Sequence, residues 1–255
     1  MSETATGGQG AGRRSRWQHV EEQRDREVLV WIGRFRFVTV DVLARRFGVS
    51  EQRTRARVRR LETEGLVHRP RRHVSDSAVI YLTPAGARAI GSRRHRAPRV
   101  DTHRAHEYAL TQLVCQLELT AGPGLLVLTE RDARDREATG PRRFSVDVSD
   151  GRGGTAKRWP DVILVEDGRT VALEVEFAEK GSTRLRQMLD AYLASSMEEV
   201  RFLVSSHTLA ARLSKLAGQQ SQGMLAFSPT LCAITVAPWI GVSEEDAEKI
   251  RQRLA

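Results

Sequence analysis

"RWPDVILVEDGRTVALEVEF", Arg158 to Phe177, decides the fold of this chain. Two apolar runs flank Asp167-Gly168, a dipeptide that favours a two-residue hairpin turn because both central residues of that turn need positive φ. With the turn there, opposed positions run from Glu166 with Arg169 down to Asp161 with Glu174. Opposed side chains share a face, with Cβ atoms about 5 Å apart. Glu176 has the parity of Glu174 and joins the pair. Val162, Leu164, Val171, Leu173, Val175 and Phe177 line the other face, while Ile163, Val165 and Ala172 keep the carboxylate face apolar too. Strands apolar on both faces are central strands of a covered sheet. Like charges opposed in a half-buried place are unfavourable unless something neutralises them. Two neutralisers are available. One is a divalent cation, since Mg²⁺ takes hard oxygens from a couple of carboxylates and keeps several waters. The other is a set of nearby arginines, Arg158, Arg184 and Arg186.

Working outward, the flanking segments alternate helix and strand, the pattern of an α/β layer. "HRAHEYALTQLVCQLELTA" reads as an amphipathic helix with Tyr108, Leu110, Leu113, Val114, Leu117 and Leu119 as its apolar set. "LLVLTERD" reads as a strand ending on Glu130, and 132–157 as a polar, Gly-rich loop with one strand at "FSVDV". After the hairpin, "GSTRLRQMLDAYLAS" is a helix with Ser182 near its N-cap and Leu185, Met188, Leu189 and Tyr192 inward. "VRFLVSS" is a strand, "HTLAARLSKLAGQQ" a helix, "LCAITVAPW" a strand, and "SEEDAEKIRQRLA" a terminal helix capped by Ser243.

The charge is unevenly placed. Residues 1–100 hold 22 Arg, no Lys and 10 acids, a net of +12, whereas the remaining 155 residues carry 19 basic and 22 acidic groups, a net of −3. A basic part joined to a mildly acidic part suggests two jobs, one of them contact with a polyanion. "EEQRDREVLVWIGRF" (21–35) and "TVDVLARRFG" (39–48) have helical spacing, the second ending at Gly48. Ser50 is a suitable N-cap for a third helix, "EQRTRARVRRLETEG", with Thr54, Val58 and Leu61 inward. Its other faces carry Gln52, Arg53, Arg55, Arg57, Arg59 and Arg60, with no acid in 52–61. "LVHRPRR" and "AVIYLT" read as strands around "HVSDS", and "TPAGARAI" as a short closing helix. A short helix of this kind can enter the major groove of double-stranded DNA. Gln52 and Arg53 are placed to read bases, and Arg55, Arg59, Arg71 and Arg72 to hold phosphates. The opposing reading is a solvated charged face, against which like charges four residues apart cost stability without an anion nearby.

No run of about 18 apolar residues occurs, so no membrane span is expected. The first 20 residues read as a disordered basic tail without an apolar signal region. Cys115 and Cys232 lie far apart in apolar segments and read as buried free thiols of a reducing cytoplasm.

Two resemblances follow. The helix order with "RRLETEGLV" and "IYLTPAG" is similar to the winged helix-turn-helix of bacterial regulators, over 21–91. "WPD", twelve intervening residues and "EVE" resemble the PD-(D/E)xK nuclease superfamily. The expected fold is therefore α/β (α+β overall), with a winged helix (21–91), a linker (92–101) and a restriction-endonuclease-like mixed sheet flanked by helices (102–255). The superfamily resemblance implies Asp161 and Glu174 as metal ligands for Mg²⁺ or Mn²⁺, with Glu130 matching an upstream acid. It implies a catalytic lysine where Glu176 stands, a role Lys180 is near enough to fill, and a supporting helix pair at Gln187 and Tyr192. Together the two parts resemble the replication-relaxation proteins of actinobacterial plasmids and mobile elements, through "HRAHEYAL", "LTERD", "RWPD" and "EVEFAEKGSTRLRQMLDAY".

That resemblance implies a DNA-binding protein of plasmid replication, nicking or transfer. The expected enzyme is a metal-dependent DNA endonuclease or nickase, with Asp161, Glu174, Glu176 and Lys180 at its centre. The alternatives are a non-catalytic initiator, accessory factor or repressor on a degenerate nuclease fold, and a toxin–antitoxin or phage-defence autorepressor. Double-stranded DNA is the expected partner. Relaxosome or replication proteins, and a second copy of the chain, are the protein partners such a molecule allows.

Overall fold

The computed structural model describes residues 16–70, 79–92, 104–141, 143–151, 153–177, 180–225 and 232–238. The expected wing tip with Arg71 and Arg72, nearly all of the linker, the first 15 residues and the terminal helix lie outside the described residues. The described chain is mixed α/β, with eight helices.

The N-terminal part begins with α1 (Arg16–Gly33), then β1 (Val38–Thr39), α2 (Val40–Phe47) and α3 (Glu51–Thr63). β2 (Val67–His68), β3 (Val79–Leu82) and α4 (Pro84–Ala89) follow. Gly48 closes α2 at φ 62°, and Ser50 Oγ accepts the Arg53 N–H at 3.4 Å to open α3. Thr54, Val58 and Leu61 are buried, as their spacing predicts. β1 was not expected; it pairs antiparallel with β3, giving a three-stranded sheet of order β1-β3-β2. Two residues are too few for an alternation to show in sequence.

Gly86, in the first turn of α4, has a steric reason to be glycine. Thr83 N–H donates to the Leu66 carbonyl at 3.0 Å, and a Cβ on Gly86 would lie 2.0 Å from that same oxygen. Gly86→Ala is therefore expected to cost about 1–3 kcal/mol, as overpacking against backbone does. Thermal unfolding checks it: a drop in Tm of several degrees is expected, and an unchanged Tm would show that α4 can move off Leu66.

The rest of the chain runs α5 (Arg104–Thr120), β4 (Leu126–Thr129), α6 (Glu130–Thr139), β5 (Val146–Ser149) and β6 (Thr155–Arg158). β7 (Val162–Glu166), β8 (Arg169–Glu176), α7 (Ser182–Leu193), β9 (Glu199–Val204), α8 (His207–Leu225) and β10 (Ala233–Pro238) complete it. The five-stranded sheet has the order β10-β9-β8-β7-β4. β4, β7 and β8 are antiparallel neighbours, and β9 and β10 extend the sheet in parallel. The β7–β8 register follows the Asp-Gly turn: Glu166 opposes Arg169 and Val162 opposes Leu173. Asp167 and Gly168 both have positive φ, 47° and 83°, as that turn requires.

Both faces of the sheet are covered. Val162, Leu164, Val171, Leu173 and Val175 join one core with Leu113 and Val114 of α5, and with Val28 and Leu43 of the N-terminal part. Ala172, Val200, Phe202 and Val204 pack on the other face against Leu185 and Leu189 of α7 and Leu213 of α8. The buried pair Arg201–Glu199 on β9 is bidentate at 2.6 and 2.9 Å, and Thr235 Oγ1 donates to the same carboxylate at 2.9 Å.

Three local expectations change. The segment 132–157 is not a loop with one strand: it holds the end of α6 and the β5–β6 hairpin. The signal for α6 was present, because Thr129 and Asp132 form a reciprocal capping box. The strand ends at Thr129, so Glu130 starts a helix instead of ending a strand. Leu119 is 47% exposed and not part of the buried face of α5, whereas Ala109, Thr111, Cys115 and Gln116 are buried, because α5 packs against both α2 and the sheet. Ser182 lies next to the N-cap of α7, Gly181, as expected. Among the described residues no helix is long and apolar enough to cross a membrane.

Candidate functional site

Asp161 precedes β7 by one residue, and Glu174 and Glu176 stand at the end of β8. The alternation of β8 sends both glutamates to the face that α7 covers, and each takes a partner there. Tyr192, buried on α7, donates its hydroxyl to Glu174 Oε1. Lys180, at the entry to α7, pairs with Glu176 Oε1. Asp161 Oδ2 accepts the Val175 N–H at 2.9 Å and lies 3.1 Å from His106 Nε2 of α5.

These contacts leave the carboxylates crowded. Burial, and then the charge of Asp161, push the Glu174 carboxyl well above the usual carboxylate range; the Tyr192 hydrogen bond opposes this. Burial raises Glu176 as well, against the pull of Lys180. Burial and the neighbouring Glu174 raise the Tyr192 phenol, so it stays a donor. For His106, burial acts downward, but the hydrogen bond to Asp161 and the charges of Asp161, Glu107 and Glu176 outweigh it and raise the imidazole. Perturbed titration of several groups at one place makes this cluster the candidate site.

The other expected residues are spread more widely. Glu130 donates its backbone N–H to the Asp161 carbonyl at 3.2 Å, but its side chain pairs with Arg134 along α6. Gln187 stands by the β5–β6 turn, where a Cβ on Gly151 would lie 3.2 Å from its Nε2. Arg158, Arg184 and Arg186 make no ion pair with the three acids; the cations that do are Lys180 and His106. His106 had no signal in the strand pattern, since it reaches Asp161 across 55 positions of sequence. Among the described residues no group of three or more His, Cys, Asp and Glu side chains forms a metal cage.

On α3, Gln52, Arg53, Arg55 and Arg59 are exposed. Arg53 and Arg59 have no ion pair among the described residues, and Arg55 pairs with Glu51 at 2.5 Å on its own helix. Arg57 and Arg60 turn back to Asp25 of α1, Arg57 at 3.2 Å. They hold α3 on α1, so the outward basic face is narrower than the helix composition suggests. Arg36 on the N-terminal side pairs with Glu107 at 2.9 Å, and Tyr108 Oη donates to Asp41 at 3.0 Å. The segment from Arg36 to α2 and, through His106, the acid cluster are thus both held to α5.

No curated protein and no solved structure matches the chain. The model of the replication-relaxation family matches residues 29–200, a span that takes in α2, α3, α5 and all three acids, and the chain belongs to that family.

Proposed function

We propose that this is a sequence-specific double-stranded-DNA-binding protein of a plasmid or mobile element. On this reading it acts in replication or transfer, with a metal-dependent endonuclease or nickase site at Asp161, Glu174 and Glu176. One observation carries the reading: Asp161 stands at the level of Glu174 at the end of a covered sheet, where burial, and then the Asp161 charge, raise the Glu174 carboxyl. Family membership points the same way, towards replication and relaxation.

The donor set fits Mg²⁺ or Mn²⁺ as two hard carboxylates completed by water, not as a closed protein cage. Asp161 and Glu174 would hold the ion; Glu130, turned to Arg134, stands outside that set. When bound, such an ion supplies Lewis-acid charge at a phosphate. The chain's own residues do the rest. Tyr192 orients Glu174, Lys180 brings a cation beside Glu176, and on α3 exposed Arg53 reads bases while exposed Arg59 holds the DNA backbone.

A second reading has its own support. Each acid already has a protein donor, in His106, Tyr192 and Lys180, which suits a non-catalytic initiator, accessory factor or repressor on a degenerate nuclease fold. One experiment separates the two. Full-length protein is mixed with supercoiled plasmid carrying its own replication region, in Mg²⁺, Mn²⁺ or EDTA, beside a gel shift. Cation-dependent nicking or cutting supports the enzyme; binding without cutting under either cation supports the second reading. Arg53→Ala with Arg59→Ala is expected to weaken binding and reduce the salt slope by about 1, for the phosphate that Arg59 would otherwise neutralise. Binding unchanged by that pair would remove α3 from the DNA.

A further inference from the structure

We infer that His106 is a positioning residue for Asp161: from α5 it fixes the carboxylate in the orientation that lets Asp161 serve as a cation ligand. The inference rests on the metal reading of the site.

The contacts on Asp161 are one-sided. The Val175 N–H at 2.9 Å and His106 Nε2 at 3.1 Å both meet Oδ2, and no hydrogen bond to Oδ1 occurs among the described residues. Two donors on one oxygen set the plane of the carboxylate and leave the other oxygen for a ligand. A carboxylate only accepts, so His106 presents Nε2–H to it.

The imidazole is itself held. The two residues after it anchor the first turn of α5 to the N-terminal part: Glu107 to Arg36 at 2.9 Å, and Tyr108 to Asp41 at 3.0 Å. Thr111 Oγ1 donates to the Tyr108 carbonyl at 2.8 Å, and the His106 ring meets Phe177 edge to face at 6.3 Å between centroids. Glu174 and Glu176 take their partners from α7 and its entry, so of the three acids Asp161 alone is held from α5. Donors that hold a metal-binding carboxylate preorganise it, and their removal typically weakens metal affinity by about 10–100-fold.

The test is Mn²⁺ binding to the EDTA-stripped full-length protein by calorimetry, without DNA, alongside thermal unfolding in EDTA. His106→Ala is expected to weaken Mn²⁺ binding by about 10–100-fold. His106→Gln, whose amide nitrogen takes the place of Nε2, is expected to stay within about threefold of wild type, a small part of that loss. A residue that only props the fold would lower the Tm in EDTA without this rescue pattern. If His106→Ala does not fold, His106→Asn, with an amide too short to reach Asp161, takes its place. Wild-type affinity in the Ala or Asn variant, or a folded Gln variant as weak as Ala, overturns the inference. Asp161→Asn separates the two levels. If wild type binds no Mn²⁺ and Asp161→Asn is indistinguishable from it, the metal reading falls and this role with it. If wild type binds and Asp161→Asn does not, only the role of His106 is at stake.

Discussion

Arg34→Ala is expected to destabilise the protein by about 1–3 kcal/mol, the cost of taking a charged donor from partly buried acceptors. Arg34 follows α1 directly and reaches into the part of the chain that carries the acids. Its Nε donates to Asp132 at 2.8 Å, one terminal nitrogen to the Val127 carbonyl at 2.8 Å, and the other to Glu118. Glu118 in turn accepts from Trp31 Nε1 at 3.0 Å and Arg46 Nε at 2.7 Å. Burial acts to lower the Arg34 pKa, but the charges of Asp132 and Glu118 outweigh it, so the guanidinium is held charged. Truncation removes the donor to the Val127 carbonyl and the cation that Glu118 and Asp132 share, at the junction of two parts that share one core. Lysine offers a point charge in place of a planar fork, so Arg34→Lys should recover less than half of the loss. Urea unfolding checks both. A cost below about 1 kcal/mol, the worth of an exposed pair, would mean that the junction is wet and that the parts are only loosely docked.

Glu174→Gln is expected to act in opposite directions on stability and on function. The folded-state pKa of Glu174 lies well above the usual carboxylate range, because of burial and the charge of Asp161. A carboxyl raised in this way contributes stability that is fully present below its unfolded pKa, about 4.3. That contribution is lost as pH rises through the folded value. At pH 7 the wild type therefore bears the cost of the crowded charge. Glutamine keeps the shape and an acceptor for Tyr192, and carries no charge. The variant should be more stable than wild type at pH 7 by about 1–2 kcal/mol, the usual gain from relieving a strained site. The difference should vanish towards pH 4. On the proposed metal reading, Mn²⁺ affinity and any DNA cleavage should fall at least about 100-fold in the same variant, since a ligand would matter at least as much as its supports. Melting curves from pH 4 to 8 in EDTA, paired with plasmid cleavage, give both numbers. A variant less stable than wild type at pH 7 would show that the Glu174 charge is fully compensated by its surroundings.

Much of the fold was legible because it follows local periods. The Asp167-Gly168 turn set the β7–β8 register, and that register put Asp161 at the level of Glu174. Ser50 capped α3, and Thr54, Val58 and Leu61 faced inward, because a 3.6-residue period leaves little choice. Tyr192 was placed inward on α7 by the same rule, and it is the side chain that reaches Glu174. The misses at α6 and β6 differ in kind. α6 had a readable capping box at Thr129 and Asp132, hidden under a polar composition. β6 is exposed along its whole length, so it has no apolar alternation to read.

The residues alone determined which groups are chemical: three acids on one hairpin, a basic third helix, and the strands that must be buried. They could not assign partners, because a partner is chosen by packing between elements far apart in sequence. Folding gave Arg57 and Arg60 to Asp25, which took them off the basic face, and it gave His106 to Asp161 and Lys180 to Glu176. It also merged the N-terminal helices and the sheet into one core around α5. Local periodicity says which way a side chain points; only the meeting of two surfaces says what it finds there.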